Sequence, residues 1–365
     1  MSEEPPAPVM FPPDTPMAYF NGLLATDLAE TVDLAKDPDA LDRGGWWAVV
    51  ATFEGGLNAY RFRDVRPSPR PVPSGPWLGP APGSWRSSLD EDGYRSRVLA
   101  IKERIAAGDV YQVNLCRMLS APLPAQAQAL ALAAVLATEN PAPYEGMLHT
   151  GTDWVVTASP ELYLSRAGRL VTSSPMKGTA APGEEFAPKD YPENIMITDL
   201  VRNDLGRVAA AGTVRVVALL DRQEHPGLAH LVSTVVAELR PGVGWRDLLA
   251  STFPAGSISG APKHTALRII SELEPVPRGP YCGAVGYVDA DAGTGVLAVG
   301  IRTFFTSTTP HGARLNFGTG AGITYPSDPS AEWAETQLKA ARLIALSSAV
   351  GDAGVGPTPS RWAGT

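Results

Sequence analysis

The chain has 365 residues, with 30 Lys and Arg against 38 Asp and Glu, a net charge of -8, and 44% hydrophobic residues. These values are typical of a folded globular protein and argue against disordered and fibrous classes. The acidic balance, without any cluster of Lys and Arg, argues against a nucleic-acid surface and favours a small-molecule substrate.

The two ends of the chain differ in composition from its middle. Residues 1–16 are acidic and proline-rich, without the basic start and apolar centre of a signal peptide, and we predict that they and residues 351–365 are flexible. No apolar run reaches the roughly 20 residues of a membrane span. Cys116 and Cys282 form no CxxC pair, which favours a reducing compartment. We therefore expect a cytoplasmic protein without a membrane contact.

The first elements precede a proline-rich stretch. The sequence GGWWAVVATFEGGLNAYRF predicts a hairpin around Glu54-Gly55-Gly56. Residues 66–85, RPSPRPVPSGPWLGPAPGSW, then form either a linker or a long surface connection. This stretch is the strongest candidate for a domain boundary in the chain.

Helices and strands follow in irregular order. Residues 94–105 have helical periodicity, Gly108 supplies a stop, and residues 110–115 alternate as a half-buried strand. Residues 154–175 predict strand, turn and strand. The runs 279–290, 294–306 and 313–325 predict an antiparallel meander. Because strands cluster without a regular βαβ alternation, the predicted class is α+β.

The segment SPMKGTA contains the first candidate for chemistry, Lys177. Proline enters this turn and Gly178 leaves it, so that backbone and side chain can both approach a ligand. An exposed turn lysine is the competing interpretation.

Two carboxylate pairs have the same spacing. Asp328 and Pro329 predict a helix start, after which Glu332, Glu335 and Lys339 share one face. The alternative for this face is a solvated Glu-Lys pair. Upstream, the backbone N–H groups at Gly318, Gly320 and Gly322 could hold a carboxylate.

Asp190 and Glu193 begin a second predicted helix. Facing each other, the two pairs would offer only oxygen ligands, which points to Mg²⁺ and not to zinc. The competing interpretation is that these acids only complement the helix dipole.

Three isolated polar residues interrupt apolar segments. His230 lies in an apolar helix or strand. The competing interpretation is a core histidine whose hydrogen bonds are made within the protein. Glu161 follows Pro160 at a corner between strands. Its side chain is expected to be either exposed to solvent or placed for catalysis. Arg302 interrupts an apolar strand and needs a carboxylate partner from the protein or from a ligand.

The motifs taken together resemble a known family. In order they are SPELYLS, SPMKGTA, ENIMITDLVRNDLGRV, HLVS, FPAGSISGAPK, RGPYCGAVGY, GIRT and GTGAGITYPSDPSAEWAETQLKA. This series, between about residues 94 and 349, resembles the chorismate-utilising enzymes. The resemblance implies an α+β fold in which two large, mainly antiparallel β-sheets pack face to face with helices outside. Residues 17–90 would complete this sandwich and residues 91–350 would form the catalytic domain.

The resemblance also implies roles for single residues. Glu193 and Glu335 would coordinate Mg²⁺, with Asp190 and Glu332 beside them. Glu161 would protonate the leaving 4-hydroxyl of chorismate, and His230 would line the site. The remaining implied contacts are with the substrate, and the residues that would make them are Arg302, Tyr281, Gly320, Ala321, Gly322, Lys339, Thr179 and Gln112.

Two positions discriminate between branches of the family. Members that add water have a lysine where this chain has Gln112, and anthranilate synthases usually have alanine where it has Lys177. Lys177 resembles the nucleophile of aminodeoxychorismate synthase component I, which aminates chorismate for 4-aminobenzoate and folate. Neither cysteine lies in a nucleophile elbow, so ammonia would come from a separate glutamine amidotransferase subunit. Anthranilate synthase component I and a non-catalytic, chorismate-binding regulatory subunit are the alternatives.

Overall fold

The computed structural model describes residues 11–12, 14–181, 183–225 and 228–348. The predicted tail 351–365 and most of the predicted flexible segment 1–16 lie outside this part. The described strands are β1 (Met17–Phe20), β2 (Leu23–Asp33), β3 (Trp46–Ala51), β4 (Leu57–Pro67), β5 (Arg86–Ser87), β6 (Gln112–Pro122), β7 (Tyr144–His149), β8 (Trp154–Ser159), β9 (Leu162–Ala167), β10 (Leu170–Ser174), β11 (Met176–Ala180), β12 (Arg215–His225), β13 (Leu228–Glu238), β14 (Gly260–Ala261), β15 (Ala284–Asp289), β16 (Thr294–Val299), β17 (Thr303–Thr309) and β18 (Gly312–Ile323). The described α-helices are α1 (Glu91–Ala106), α2 (Ala129–Glu139), α3 (Asp190–Gly206), α4 (Trp245–Thr252), α5 (Lys263–Leu273) and α6 (Pro329–Ser347).

All paired strands of the described chain run antiparallel and form two arms. The first arm has the order β6-β18-β17-β8-β7-β1, and the second has the order β2-β4-β3-β15-β16-β9-β10-β13-β12. Strands β1 and β2 join the arms through a tight turn, in which Asn21 and Gly22 both have positive φ. The expected α+β class is confirmed, and the two predicted sheets are arms of one continuous hydrogen-bonded ladder.

The arms pack face to face through apolar side chains, and helices cover their outer faces. In β8, Val155 points to the core between the arms, whereas Trp154 and Val156 point outward under α2 and α6. Helices α3 and α4 cover the second arm. The core between the arms includes Phe20, Trp46, Val50, Phe62, Leu148, Val155, Val285 and Tyr287.

Two of the connections at which the chain crosses between the arms lie next to each other. One connection joins β8 to β9 through Pro160 and Glu161, and the other joins β16 to β17 through residues 300–302. Backbone hydrogen bonds hold them together: the Ala158 N–H donates to the Arg302 carbonyl, and the Val299 N–H donates to the Glu161 carbonyl, both at 3.0 Å. The predicted meander treated residues 294–306 as one strand. This prediction is wrong, because the run is divided into β16, which pairs with β9 in the second arm, and β17, which pairs with β8 in the first arm.

Other local predictions have mixed outcomes. The hairpin around residues 54–56 is confirmed as β3 and β4. Residues 66–85 are a surface connection and not a linker, because Trp77 and Trp85 donate hydrogen bonds to residues 347 and 348 at the end of α6. Strand β6 is buried on both faces instead of half-buried, since helices α1 and α5 cover it. In the described chain we find no helix with the length and apolar character of a membrane span.

Candidate active site

Glu161 lies at the first crossing between the arms and is only 3% exposed. Its Oε1 accepts a long hydrogen bond of 3.4 Å from the Met176 backbone N–H. Burial raises the pKa of the Glu161 carboxyl to about 7, although the Ser257 side chain and the Lys177 charge act in the opposite direction. The position is therefore not an exposed corner, and its environment favours a carboxyl that holds a proton near neutral pH.

A small cavity of about 20 Å³ lies behind Glu161. This volume is sufficient for about one water molecule. Its polar lining includes Ser173, Ser257 and Asp204, and Asp204 forms a 2.6 Å ion pair with Lys263. The buried acid Asp204 thus has a fixed cationic partner, whereas Glu161 relies mainly on neutral surroundings.

Lys177 lies in β11, opposite Leu231 of β13. The next residue, Gly178, has φ +80°, and a Cβ at that position would lie 2.9 Å from the Asp190 Cβ. Only glycine fits this approach without strain. The predicted turn at Lys177 is therefore wrong, because Lys177 lies within a strand, and an irregularity of the strand at Gly178 brings it against the start of α3.

Lys177 and Gln112 meet beside Gly322 of β18. A Cβ at Gly322 would lie 2.3 Å from Gln112 Nε2 and 3.6 Å from Lys177 Nζ. The Gln112 side chain is 1% exposed, and among the described residues its Oε1 has no hydrogen-bond partner. Because an unpaired buried acceptor costs free energy, this amide oxygen suggests a contact with a ligand or water.

His230 and Arg302 form a second polar group of the site, next to Gly178. The His230 Nδ1 lies 3.2 Å from the Gly178 carbonyl oxygen, and its Nε2 lies 3.4 Å from Arg302 Nη2. This arrangement fits a neutral histidine that donates from Nδ1 and accepts from the guanidinium at Nε2. His230 is thus placed in strand β13 and joins two other predicted site residues.

Arg302 does not interrupt a strand, because it lies in the crossing between β16 and β17 with φ +51°. Left-handed backbone in a non-glycine residue is strained and is concentrated at functional sites. Burial lowers the pKa of this guanidinium, and no carboxylate in the described ranges forms an ion pair with it. Its expected carboxylate partner could therefore come from a ligand.

The glycine-rich end of β18 has one open edge. Strand β17 pairs only with Gly312–Phe317, whereas β6 continues along residues 318–323, so the other edge of this segment has no strand neighbour within the described chain. Lys339 Nζ donates to the Gly320 carbonyl at 3.2 Å. Ala321 packs on the opposite face with α1 and α5. The open edge is compatible with the predicted anion contact.

Tyr281 precedes β15, and Thr179 lies in β11. Tyr281 is 5% exposed, its ring lies against Gly318, and its hydroxyl accepts a contact from Cys116 Sγ at 3.9 Å. Burial raises the pKa of this tyrosine well above its ordinary value. The backbone of Thr179 pairs with His230. Their contacts with a substrate remain predictions.

The four predicted metal ligands lie at the starts of α3 and α6, and both helix starts are confirmed. Burial raises the pKa of Asp190 and of Glu193. Burial alone would also raise the pKa of Glu335, but the charges of Lys339, Lys189 and Lys177 outweigh it and lower the pKa. Two helices thus bring four carboxylates and several lysines into one electrostatic cluster.

Glu332 is the most buried member of this cluster, at 2% exposure. Its Oε1 accepts a 2.7 Å hydrogen bond from Ser327, whereas its Oε2 has no partner among the described residues. An unpaired buried carboxylate oxygen beside further carboxylates fits a hard cation with oxygen ligands. As the side chains stand, however, no three His, Cys, Asp or Glu side chains of the described ranges are placed to hold one ion together.

Sequence reasoning missed two residues of the site. Lys189 lies 3.5 Å from Glu332 Oε1 and 3.9 Å from Glu335 Oε2. Its position directly before Asp190 was an available signal. Ser257, in the motif FPAGSISGAPK, faces Glu161 across the small cavity. A lone serine in a buried turn carried no signal apart from its motif.

Comparisons with known proteins identify the family of the chain. The family model described as chorismate binding enzyme matches residues 6–345. The chain therefore belongs to the chorismate binding enzymes, as its motifs implied. It is similar to anthranilate synthase component 1 of Streptomyces coelicolor, with 40% identity over 71% of this chain and 52% of the relative.

A second relative is aligned over more of the chain. This relative is aminodeoxychorismate synthase of Streptomyces griseus, with 38% identity over 92% of this chain and 46% of the relative. The chain thus spans about half the length of both curated relatives. The fold is similar to that of anthranilate synthase component I from Streptococcus pneumoniae, with a TM-score of 0.73, 23% identity, and coverage of 94% of this chain and 93% of that one.

Proposed function

We propose that this chain is the chorismate-aminating component of an aminodeoxychorismate synthase. It would convert chorismate and ammonia to 4-amino-4-deoxychorismate and water, through a covalent adduct on Lys177, on the route to 4-aminobenzoate and folate. The observation that carries this proposal is the convergence of Lys177 and Gln112 beside Gly322, together with a buried Glu161 carboxyl on which the Lys177 charge acts. A primary amine and a buried acid are the two groups that the reaction requires.

The proposed reaction has two displacements. In the first, the neutral Lys177 amine forms a bond to ring C2, both ring double bonds shift, and the bond from C4 to the hydroxyl breaks. Glu161 gives its proton to the departing hydroxyl, which leaves as water, and the carboxylate can then take a proton from the new ammonium group. In the second, ammonia bonds to C4, the double bonds shift back, and the bond between C2 and Lys177 breaks. The Glu161 proton goes to the departing Lys177 nitrogen, and the carboxylate takes a proton from the new ammonium group at C4.

The surroundings of Glu161 support its role as the acid. A carboxyl with a pKa of about 7 holds its proton over a useful fraction of molecules near neutral pH. Gln112 stands where the water-adding branch has a lysine, and an amide cannot take a proton from water at this pH. Ammonia and not water is therefore the expected nucleophile.

Two regions would hold the substrate carboxylates. The Arg302 guanidinium and the open edge of β18 would bind the enolpyruvyl carboxylate, with His230 holding the guanidinium in place. Glu193 and Glu335, with Asp190 and Glu332 beside them, would hold Mg²⁺. The bound ion would neutralise the ring carboxylate of chorismate.

Anthranilate synthase component I is the second candidate, because relatives of that name reach 40% identity. Two observations favour amination without loss of pyruvate: a lysine at position 177, and the alignment of an aminodeoxychorismate synthase over 92% of this chain. We further propose that a separate glutamine amidotransferase subunit supplies the ammonia. A non-catalytic regulatory subunit would show no turnover with ammonium salts.

The test is incubation of the purified chain with chorismate, Mg²⁺ and a high concentration of ammonium, with separation of products by chromatography and mass detection. We expect 4-amino-4-deoxychorismate without pyruvate. Lys177→Ala should reduce the rate by about a thousandfold or more, since it removes the nucleophile. Lys36→Ala is a matched control, because Lys36 is 85% exposed and paired only with Asp33.

Mass spectrometry of the quenched enzyme gives a second readout. The wild-type chain should carry an adduct of chorismate minus water on Lys177 when ammonia is left out. Anthranilate and pyruvate from the wild-type chain would instead identify the second candidate. A Lys177→Ala variant with wild-type activity would make this lysine a bystander.

A further inference from the structure

Lys189 has no role in the proposed reaction, yet it lies among all four carboxylates of the cluster. It precedes the first residue of α3, and its ammonium group is 3.5 Å from Glu332 Oε1 and 3.9 Å from Glu335 Oε2. The ammonium group therefore acts as a counter-ion to the carboxylates at the start of α6, and it belongs to the residue directly before Asp190 at the start of α3.

The contacts of Lys189 are loose in comparison with those of its neighbour Lys339. Lys339 is held by Glu335 at 2.6 Å and by the Gly320 carbonyl at 3.2 Å. Both side chains are similarly exposed, Lys189 at 42% and Lys339 at 45%, but both carboxylate distances of Lys189 exceed that of a good hydrogen bond. Lys189 can therefore leave the carboxylates without breaking a short hydrogen bond, whereas Lys339 cannot.

The position that Lys189 occupies suits a cation of higher charge. The Glu332 Oε2 is buried without a partner in the described chain, so one ammonium group leaves part of the donor set unused. A divalent ion would interact with several of these oxygens at once. The same carboxylates cannot serve the ammonium group and the ion together at full strength.

We propose that Lys189 is a tethered counter-ion that holds the carboxylate cluster together until a divalent cation displaces it. This inference rests on the Mg²⁺ site of the proposed function. Lys189 is a positioning residue, because it touches neither the substrate nor the reacting atoms. By competing with the metal, it sets the concentration of Mg²⁺ at which the site fills.

The test is a direct measurement of metal affinity by titration calorimetry with Mg²⁺ on the full chain, without chorismate. Lys189→Gln should bind Mg²⁺ about tenfold more tightly than the wild type, because a competing charge in contact with the carboxylates is removed. The matched control is Lys102→Gln. Lys102 lies near the cluster but donates to the Ser327 carbonyl at 2.6 Å and forms no described ion pair with a carboxylate, so its loss should leave the affinity within about twofold.

Salt distinguishes direct displacement from a general effect of charge. At 1 M KCl the Debye length is about 3 Å, so a long-range effect would disappear, whereas competition for the same oxygens should persist. Melting temperatures give an independent readout. Lys189→Gln should lower the melting temperature without metal and have little effect at saturating Mg²⁺.

Several results would overturn this inference. Unchanged or weaker Mg²⁺ binding by Lys189→Gln would do so, as would an equal gain in Lys102→Gln or a gain that vanishes at high salt. If neither the wild type nor the variant binds Mg²⁺, both this inference and the proposed metal site are wrong. Amination through Lys177 would still be judged separately, by the product and by its adduct.

Discussion

The chain places carboxylates in two opposite environments within one cleft. Glu161 is a buried acid without an ion pair in the described chain, and burial raises its pKa to about 7. Glu335 belongs to a cluster in which burial is outweighed by the charges of Lys339, Lys189 and Lys177, so that its pKa is lowered. The same functional group is therefore suited to give a proton at Glu161 and to keep a negative charge at Glu335, whereas burial raises the pKa of Asp190 and Glu193 within the cluster.

The difference arises from the elements that carry these residues. Glu161 lies at a crossing between the arms, where hydrogen-bonded backbone leaves little room for water or counter-ions. The cluster lies at two helix starts, which are partly exposed and accessible to flexible lysines. Position in the fold, and not residue type, assigns the two roles.

The largest expected effect concerns Glu161 as a proton donor. Glu161→Gln should lower kcat by about 10² to 10⁴, because an amide cannot protonate the leaving hydroxyl. In the wild type, kcat at a constant concentration of free ammonia should fall as pH rises above about 7, when the acid form is lost. Measurement of kcat from pH 6 to 9 checks both points. A variant that retains a tenth of the wild-type rate would remove Glu161 from its proposed role.

The second prediction concerns stability and the same residue. Between pH 4.5 and 7 the folded chain keeps a proton on Glu161 that the unfolded chain releases, so the stability of the wild type should fall as pH rises through this range. Glu161→Gln should remove this decline, which amounts to at most about 3 kcal/mol. Urea unfolding at pH 5 and pH 8 measures the difference. Equal pH dependence in both proteins would show that Glu161 is ionised in the folded state.

The smallest expected effect has the opposite sign and concerns Glu335. Its lowered pKa means that its charge stabilises the fold above the ordinary value of 4.5, and that this stability is lost as pH falls through the folded pKa. Because 37% of the side chain is exposed, we expect only about 0.5 kcal/mol after screening by solvent. Urea unfolding of Glu335→Gln with EDTA, at pH 3.5 and pH 6, tests this. A larger loss at pH 6 than at pH 3.5 is the expected pattern.

Local signals predicted the two helix starts correctly. Asp328 caps α6 with its side chain, as expected from the sequence Asp-Pro, and Asp190 and Glu193 lie in the first turn of α3. Such signals span only a few consecutive residues and can therefore be recognised in the sequence alone. The hairpin around residues 54–56 was predicted correctly for the same reason.

The sequence did not predict the crossings between the arms. The sequence 294–306 looks like one strand, but residues 300–302 leave one arm for the other. Each of β16 and β17 has one partner adjacent in sequence and a second partner that lies more than 100 residues upstream. Burial of Glu161 depends on the same crossing, which explains why an exposed corner was a reasonable expectation. The roles of individual residues were predicted from the motifs, because residue spacing alone was equally compatible with purely structural roles.

The connection between the arms has a consequence for synthesis of the protein. The four residues of β1 leave the ribosome before every other described strand, yet one of their two neighbours is β7, more than 120 residues later. At ordinary translation speeds this strand edge waits on the order of ten seconds for its partner. Both crossings depend on strands made still later, so the proposed catalytic residues meet only after β17 has been synthesised.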